Sequence, residues 1–128
     1  IMARGGVILR GALMAAKAAV RPGISTLELD TIVEGFIRSH AGAEPAFKGL
    51  YGFPGSACIS INEEIVHGIP SRKRILAEGD IVTVDVGVKL DGMYTDSAIT
   101  IPVGQIDEVT QQLMDVTEAS LAAGIAAA

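Results

Sequence analysis

Two acids, Asp85 and Asp96, interrupt runs of β-branched and apolar residues, Ile81-Val82-Thr83-Val84-Asp85-Val86-Gly87-Val88-Lys89-Leu90 and Met93-Tyr94-Thr95-Asp96-Ser97-Ala98-Ile99-Thr100-Ile101. Asp91-Gly92 joins the runs, a dipeptide suited to a type I′ hairpin because both central residues of that turn take positive φ. With Leu90 opposite Met93, Asp85 faces Ala98 and Asp96 faces Gly87, and the two-residue period puts both carboxylates on one face. Their backbones are then diagonal neighbours, roughly 7 to 8 Å apart. Asp85 lies between Val84 and Val86 in a run that reads as apolar on both faces, the pattern of a strand covered on both sides. A carboxylate placed there is costly, and a second like charge on the same face adds to the cost. A divalent cation between the two relieves both problems. Oxygen ligands suit Mn, Co, Fe or Zn and do not choose among them. The alternative is a pair of solvated acids on an exposed hairpin face.

A second candidate is His67, in Asn62-Glu63-Glu64-Ile65-Val66-His67-Gly68-Ile69-Pro70. A histidine at the exit of a strand, beside an open glycine backbone, is suited to donate to a substrate carbonyl or to act as an acid near a metal. A lone histidine otherwise serves as a structural hydrogen-bonding residue. Glu63 and Glu64 read as solvated loop acids, and Arg72-Lys73-Arg74 as a solvated turn. His40 falls in the last turn of a helix, where a cation complements the dipole, so it reads as a cap or a solvated residue rather than a ligand.

The elements that must position these residues follow from periodicity. Residues from about Met2 to Val20 favour helix, with Val7, Leu9, Leu13 and Met14 apolar and Arg21-Pro22-Gly23 as the stop. Ser25 followed by Glu28 is a capping-box pattern, and Leu29, Ile32, Val33, Phe36 and Ile37 continue at helical spacing to His40. Phe47 to Gly55 interleaves glycines and aromatics, the composition of a shaped loop. Ala57 to Asn62 alternates as a short strand, Glu78-Gly79-Asp80 turns into the acid-bearing hairpin, and Glu108 to Ala128 forms a last helix carrying Val109, Leu113, Val116, Leu121 and Ile125.

A chain of 128 residues makes one domain with a substantial core. Its net charge of −5, with no basic stripe beyond residues 72 to 74, argues against nucleic acid as a partner. Cys58 is the single cysteine, so no internal disulfide forms, and a reducing cytoplasm is the expected compartment. No apolar run approaches a membrane span, and no secretory pattern opens the chain. Both ends are expected to be cut, since Ile1 precedes Met2 and the last helix closes on alanines without a stop. Leu121, Ala123, Ala126 and Ala127 repeat the spacing of Leu13, Ala15, Ala18 and Ala19, a faint sign that a second, similar unit begins there.

Taken together, Leu50-Tyr51-Gly52-Phe53-Pro54, Cys58-Ile59-Ser60-Ile61-Asn62-Glu63, His67-Gly68-Ile69-Pro70, Glu78-Gly79-Asp80-Ile81-Val82 and the hairpin acids resemble type I methionine aminopeptidase, with the family's spacings from His67 to Asp85 and from Asp85 to Asp96 kept. The wider creatinase and prolidase relatives share the hairpin acids but not the whole Ser-Ile-Asn-Glu to His-Gly-Ile-Pro stretch. The resemblance implies an α+β fold, one half of a "pita bread", with an antiparallel sheet and helices packed on one face, residues 1–128 forming a single half-domain. It implies that Asp85 chelates one ion, that Asp96 bridges two, and that His67 contacts substrate near the scissile carbonyl. The metals supply activation of water and polarisation of the carbonyl. Phe53 and Cys58 correspond to the pocket for a methionine side chain, and Leu50 stands where that pocket commonly carries an aromatic.

The main departure is absence. The family's site takes one His and two Glu ligands from a second half, whereas this chain resembles the first half alone. Two carboxylates do not complete two coordination spheres, so weak metal binding and lost peptidase activity are expected of one copy. Three arrangements follow: a piece that becomes active with a complementary half, a homodimer in which four Asp converge near the axis, or a structural half-domain that catalyses nothing. The sheet face left open is an apolar patch that disfavours a free monomer. The first two are preferred, with a peptide bearing N-terminal Met as the substrate of a completed site.

Overall fold

The computed structural model describes residues 1–128. Three helices, α1 (Met2–Ala19), α2 (Thr26–Arg38) and α3 (Glu108–Ala127), accompany four strands, β1 (Ala43–Pro45), β2 (Ala57–Ile61), β3 (Ile81–Leu90) and β4 (Met93–Pro102), with a single 3-10 turn at Leu50–Gly52. The α+β expectation holds. β3 is the centre of an antiparallel sheet. Its turn residues Asp91 and Gly92 take φ of 49° and 78°, the two positive values a type I′ turn requires. The register is the one read from the sequence, Leu90 opposite Met93, Asp85 opposite Ala98 and Gly87 opposite Asp96. The other edge of β3 is shared by β2, which pairs with Val82 to Val86, and by β1, which pairs with Val88 to Leu90.

β3 differs from the expected strand apolar on both faces. Val82, Val84, Val86, Val88 and Leu90 are buried, while the residues between them, Gly87 excepted, are half-exposed. Since Val84 and Val86 are two apart, they point the same way, and the flanking valines show one covered face rather than two. α1 packs on that face against β3 and β4, and α2 packs against β1 and β2, so these two helices lie on one side. Asp85 and Asp96 are left on the other side.

The helices form for local reasons. In α2 the Ser25 hydroxyl accepts from the Glu28 N–H while the Glu28 carboxylate accepts from the Ser25 N–H, a closed capping box. Leu29, Val33 and Ile37 then bury one stripe. His40 Nδ1 lies 2.9 Å from the Phe36 carbonyl and its ring packs on Phe36, as the cap reading requires. In α1, Leu9 and Leu13 are buried as expected, but Val7 and Met14 are exposed. The buried stripe runs through Gly5, Ile8, Leu9, Ala12, Leu13 and Ala16, whose i, i+3 and i+4 spacing excludes both. α3 is capped by Asp107, whose side chain accepts from the Thr110 N–H, and buries nothing: Val109, Leu113, Val116, Leu121 and Ile125 are all exposed. No helix is long and apolar enough to cross a membrane.

Candidate functional site

The site is built on the uncovered face of the sheet. Cross-strand pairing sets Cys58, Asp85 and Ala98 in one row over β2, β3 and β4, and sets Asp96 beside Gly87 in the next row. The two acids are therefore diagonal neighbours whose side chains converge. A Cβ on Gly87 would lie 2.6 Å from Phe47 Cε1 and 2.9 Å from the Ala46 Cβ, so the missing side chain is what admits Phe47 against the sheet. A second wall comes from the loop of Leu50 to Pro54, and a third from His67 and Ile69. Together they enclose a cavity of about 470 Å³, and all six residues singled out from the sequence, Leu50, Phe53, Cys58, His67, Asp85 and Asp96, line it. Its rim is apolar and open, with Leu50, Tyr51 and Ile69 all exposed.

The electrostatics are those of a crowded acid pair. Burial first, then the charge of Asp96 and a hydrogen bond with it, push the Asp85 carboxyl up to about 6, while His67 pulls it the other way. A cation between the two carboxylates would offset both the burial of Asp85 and its repulsion by Asp96. The Cys58 thiol is pushed up to about 11, by burial and then by Asp85, Asp96 and Asp30. It is thus a protonated, soft wall residue at physiological pH rather than a nucleophile. Two carboxylates fit part of a divalent-metal site. No three His, Cys, Asp or Glu side chains are placed so that they could hold one metal ion together, so the donor set stops at two.

Three contributors escaped the sequence reading. Asp30, on the buried stripe of α2, accepts hydrogen bonds from the Ser56 and Ala57 N–H groups at 2.7 and 2.8 Å, which fixes the start of β2 just before Cys58. Burial holds its carboxyl above the ordinary value, with those two bonds opposing. A charged residue on an otherwise apolar stripe was the available signal. β1 was also missed, because a run of three residues ending in Pro45 is too short for its alternation to mark a strand. Thirdly, Arg74 and Glu64 are not the solvated charges expected: the Arg74 guanidinium bonds the Glu64 carboxylate and the carbonyls of Ile59 and Ile69. A basic run looks solvated in sequence because the long-range carbonyls that receive one of its members are invisible there.

Comparison with known proteins decides the family. The profile of metallopeptidase family M24 matches residues 1–128. The chain belongs to the M24 metallopeptidases. This M24 chain is 48% identical over 126 residues to methionine aminopeptidase 1 of Mycobacterium tuberculosis (strain CDC 1551 / Oshkosh), covering 98% of the chain and 47% of that protein. It is 53% identical over 109 residues to methionine aminopeptidase 1 of Bacillus subtilis (strain 168), covering 85% and 43%. The crystal structure of methionine aminopeptidase from Rickettsia prowazekii superposes with a TM-score of 0.88 at 38% identity, over 92% of this chain and 47% of that one. The fold is therefore one half of the pita-bread fold, and the chain spans about half the length of the curated relatives it matches.

Proposed function

We propose that this chain supplies the first half of a metal-dependent aminopeptidase site that removes N-terminal Met from peptides. Asp85 and Asp96 are the metal ligands, His67 meets the substrate near the scissile carbonyl, and Phe53, Cys58 and Leu50 receive the methionine side chain. The observation that carries the reading is the convergence of the acid pair, His67 and an apolar wall on one cavity of about 470 Å³, a size suited to an amino-acid side chain with its backbone. The relatives named methionine aminopeptidase support the substrate class.

A divalent ion bound between the acids, Co, Mn, Fe or Zn, would supply Lewis-acid polarisation of a carbonyl and of water. The chain's own residues do the rest. Asp85 and Asp96 would hold the ion, whose charge would offset the repulsion between the two carboxylates. His67, exposed at the cavity mouth, is free to present a ring N–H to an incoming carbonyl. Cys58 and Phe53 exclude water from an unbranched apolar side chain. The family implies use of a divalent metal; the ion is one the acids do not select.

With two donors, the chain alone binds metal weakly and cleaves slowly or not at all. We infer that it works as a homodimer or with a complementary half, in the cytoplasm. The apolar residues that α3 leaves exposed support an associated state. The same two-donor count also favours a second reading, a structural half-domain dimer without catalysis. Hydrolysis of a short peptide with N-terminal Met, assayed with Mn or Co on the chain alone and after addition of a complementary half, separates them. Cleavage that appears with the second half and is lost in Asp96→Asn supports the peptidase. No cleavage in either state refutes it.

A further inference from the structure

The loop that carries His67 is held in an unusual way. Two non-glycine residues in it are left-handed, Asn62 at φ 51° and His67 at φ 60°, a conformation that side-chain-bearing residues hold only where the surroundings impose it. Asn62 is anchored by its own amide, which donates to Asp80 Oδ1 and accepts from the Ile81 N–H. His67 is followed by Gly68, whose carbonyl accepts from the Ile59 N–H at 2.8 Å and whose N–H donates to the Ser60 hydroxyl at 3.1 Å. A Cβ at Gly68 would collide with the Ile59 carbonyl, so the chain is pressed against the edge of β2 there.

One side chain ties this arrangement together. Arg74 Nη1 donates to the Ile59 carbonyl in β2 and to the Ile69 carbonyl two residues after His67, both at 3.1 Å. Arg74 Nη2 meets the Glu64 carboxylate three residues before His67, and Glu64 Oε2 also accepts from the Ile61 N–H at 2.8 Å. Both arms of the loop and the strand edge thus converge on one planar guanidinium. Lysine, a point charge on a flexible stem, does not reproduce three donors in one plane.

We propose that Arg74, with Glu64 as its counter-ion, is the positioning residue that holds His67 at the mouth of the acid-pair cavity. The assignment rests on the functional reading above for its purpose, but its geometry stands independently of whether metal binds. Arg74 touches neither the cavity nor the acids; it acts through the backbone on either side of His67. A substrate carbonyl held by His67 is therefore aligned by a residue seven positions further along the chain.

The test uses the full chain without metal and compares Arg74→Met, Arg74→Lys and Glu64→Gln with the parent. Two readouts are taken, the exchange rate of the Gly68 amide and the Cε1–H resonance of the His67 ring. We expect Gly68 to exchange about tenfold faster or more in Arg74→Met, as a local opening does, with Leu29 and Val84 amides unchanged. The His67 resonance is expected to move and to lose its response to a second change, Asp85→Asn, while Arg74→Lys restores part of it. If Arg74→Met fails to fold, Glu64→Gln decides, since its exposed carboxylate contributes little to the core. Gly68 exchange within twofold of the parent, with a His67 line that still responds to Asp85→Asn in every folded variant, overturns the proposal. A parallel Mn titration of the parent keeps the two claims apart: no Mn binding with His67 released by the variants defeats the metal reading and upholds the clamp, and Mn binding with His67 unmoved does the reverse.

Discussion

Replacing Asp85 by Asn in metal-free protein is expected to stabilise it increasingly as pH rises above about 4, where an unfolded aspartate ionises. Asp85 rises from 3.8 to about 6 on folding because burial, and then Asp96, disfavour its charge. For an acid raised in this way the favourable contribution is full below about 3.8 and is lost as pH rises through about 6, because the fold prefers the neutral form. At 1.36 kcal/mol per decade the full shift corresponds to roughly 3 kcal/mol. Water at the open mouth screens it, leaving about 1 to 2 kcal/mol. Asn keeps the shape and the hydrogen-bonding capacity without the charge. Urea unfolding of both proteins from about pH 4 to pH 8 gives the difference curve, in which the contribution of Asp30, the other acid that burial raises, cancels. The account predicts curves that coincide near pH 4 and separate in favour of Asn by about 1 to 2 kcal/mol near pH 7.5. A parent at least as stable as the variant at the upper end would refute the claim that the acid pair is strained without a cation.

The remaining predictions concern the frame. Asp30→Ala leaves the Ser56 and Ala57 N–H groups buried without partners, for a loss of about 2 kcal/mol in urea unfolding and faster labelling of Cys58 by a thiol reagent. Gly87→Ala drives the Phe47 ring off the sheet, costing about 1 to 3 kcal/mol and shifting the Phe47 ring resonances. Leu29→Ala opens a cavity at a fully buried core position and lowers stability by about 2 to 5 kcal/mol in the same unfolding assay.

The hairpin was legible to the residue because Asp91-Gly92 fixes turn type, turn type fixes register, and register fixes which side chains share a face. α2 was legible for a similar reason, its capping box and apolar stripe agreeing on one span. Legibility failed where a contact joins distant segments. Nothing near Arg74 in sequence shows that the carbonyls of Ile59 and Ile69 await it, and nothing near Asp30 shows the amides of Ser56 and Ala57. The coverage of β3 was misread because a strand whose covered face is valine and leucine, with Thr83, Gly87 and Lys89 between, looks apolar throughout until the period is counted. α3 shows the opposite limit. Its pattern marks a helix with apolar residues, yet none of them is buried in this fold. The acids themselves were conspicuous because charge inside a β-branched run is rare, and their convergence with His67 required the resemblance as well as the pattern.

The central claim, that Asp85 and Asp96 form a divalent-cation site, is tested most directly by calorimetric titration of Mn into metal-free protein, with the oligomer mass recorded on the same sample. The account predicts weak but measurable binding of one or two ions per associated pair, abolished in Asp85→Asn and in Asp96→Asn. Absence of heat at millimolar Mn, or binding that survives either substitution, would contradict it.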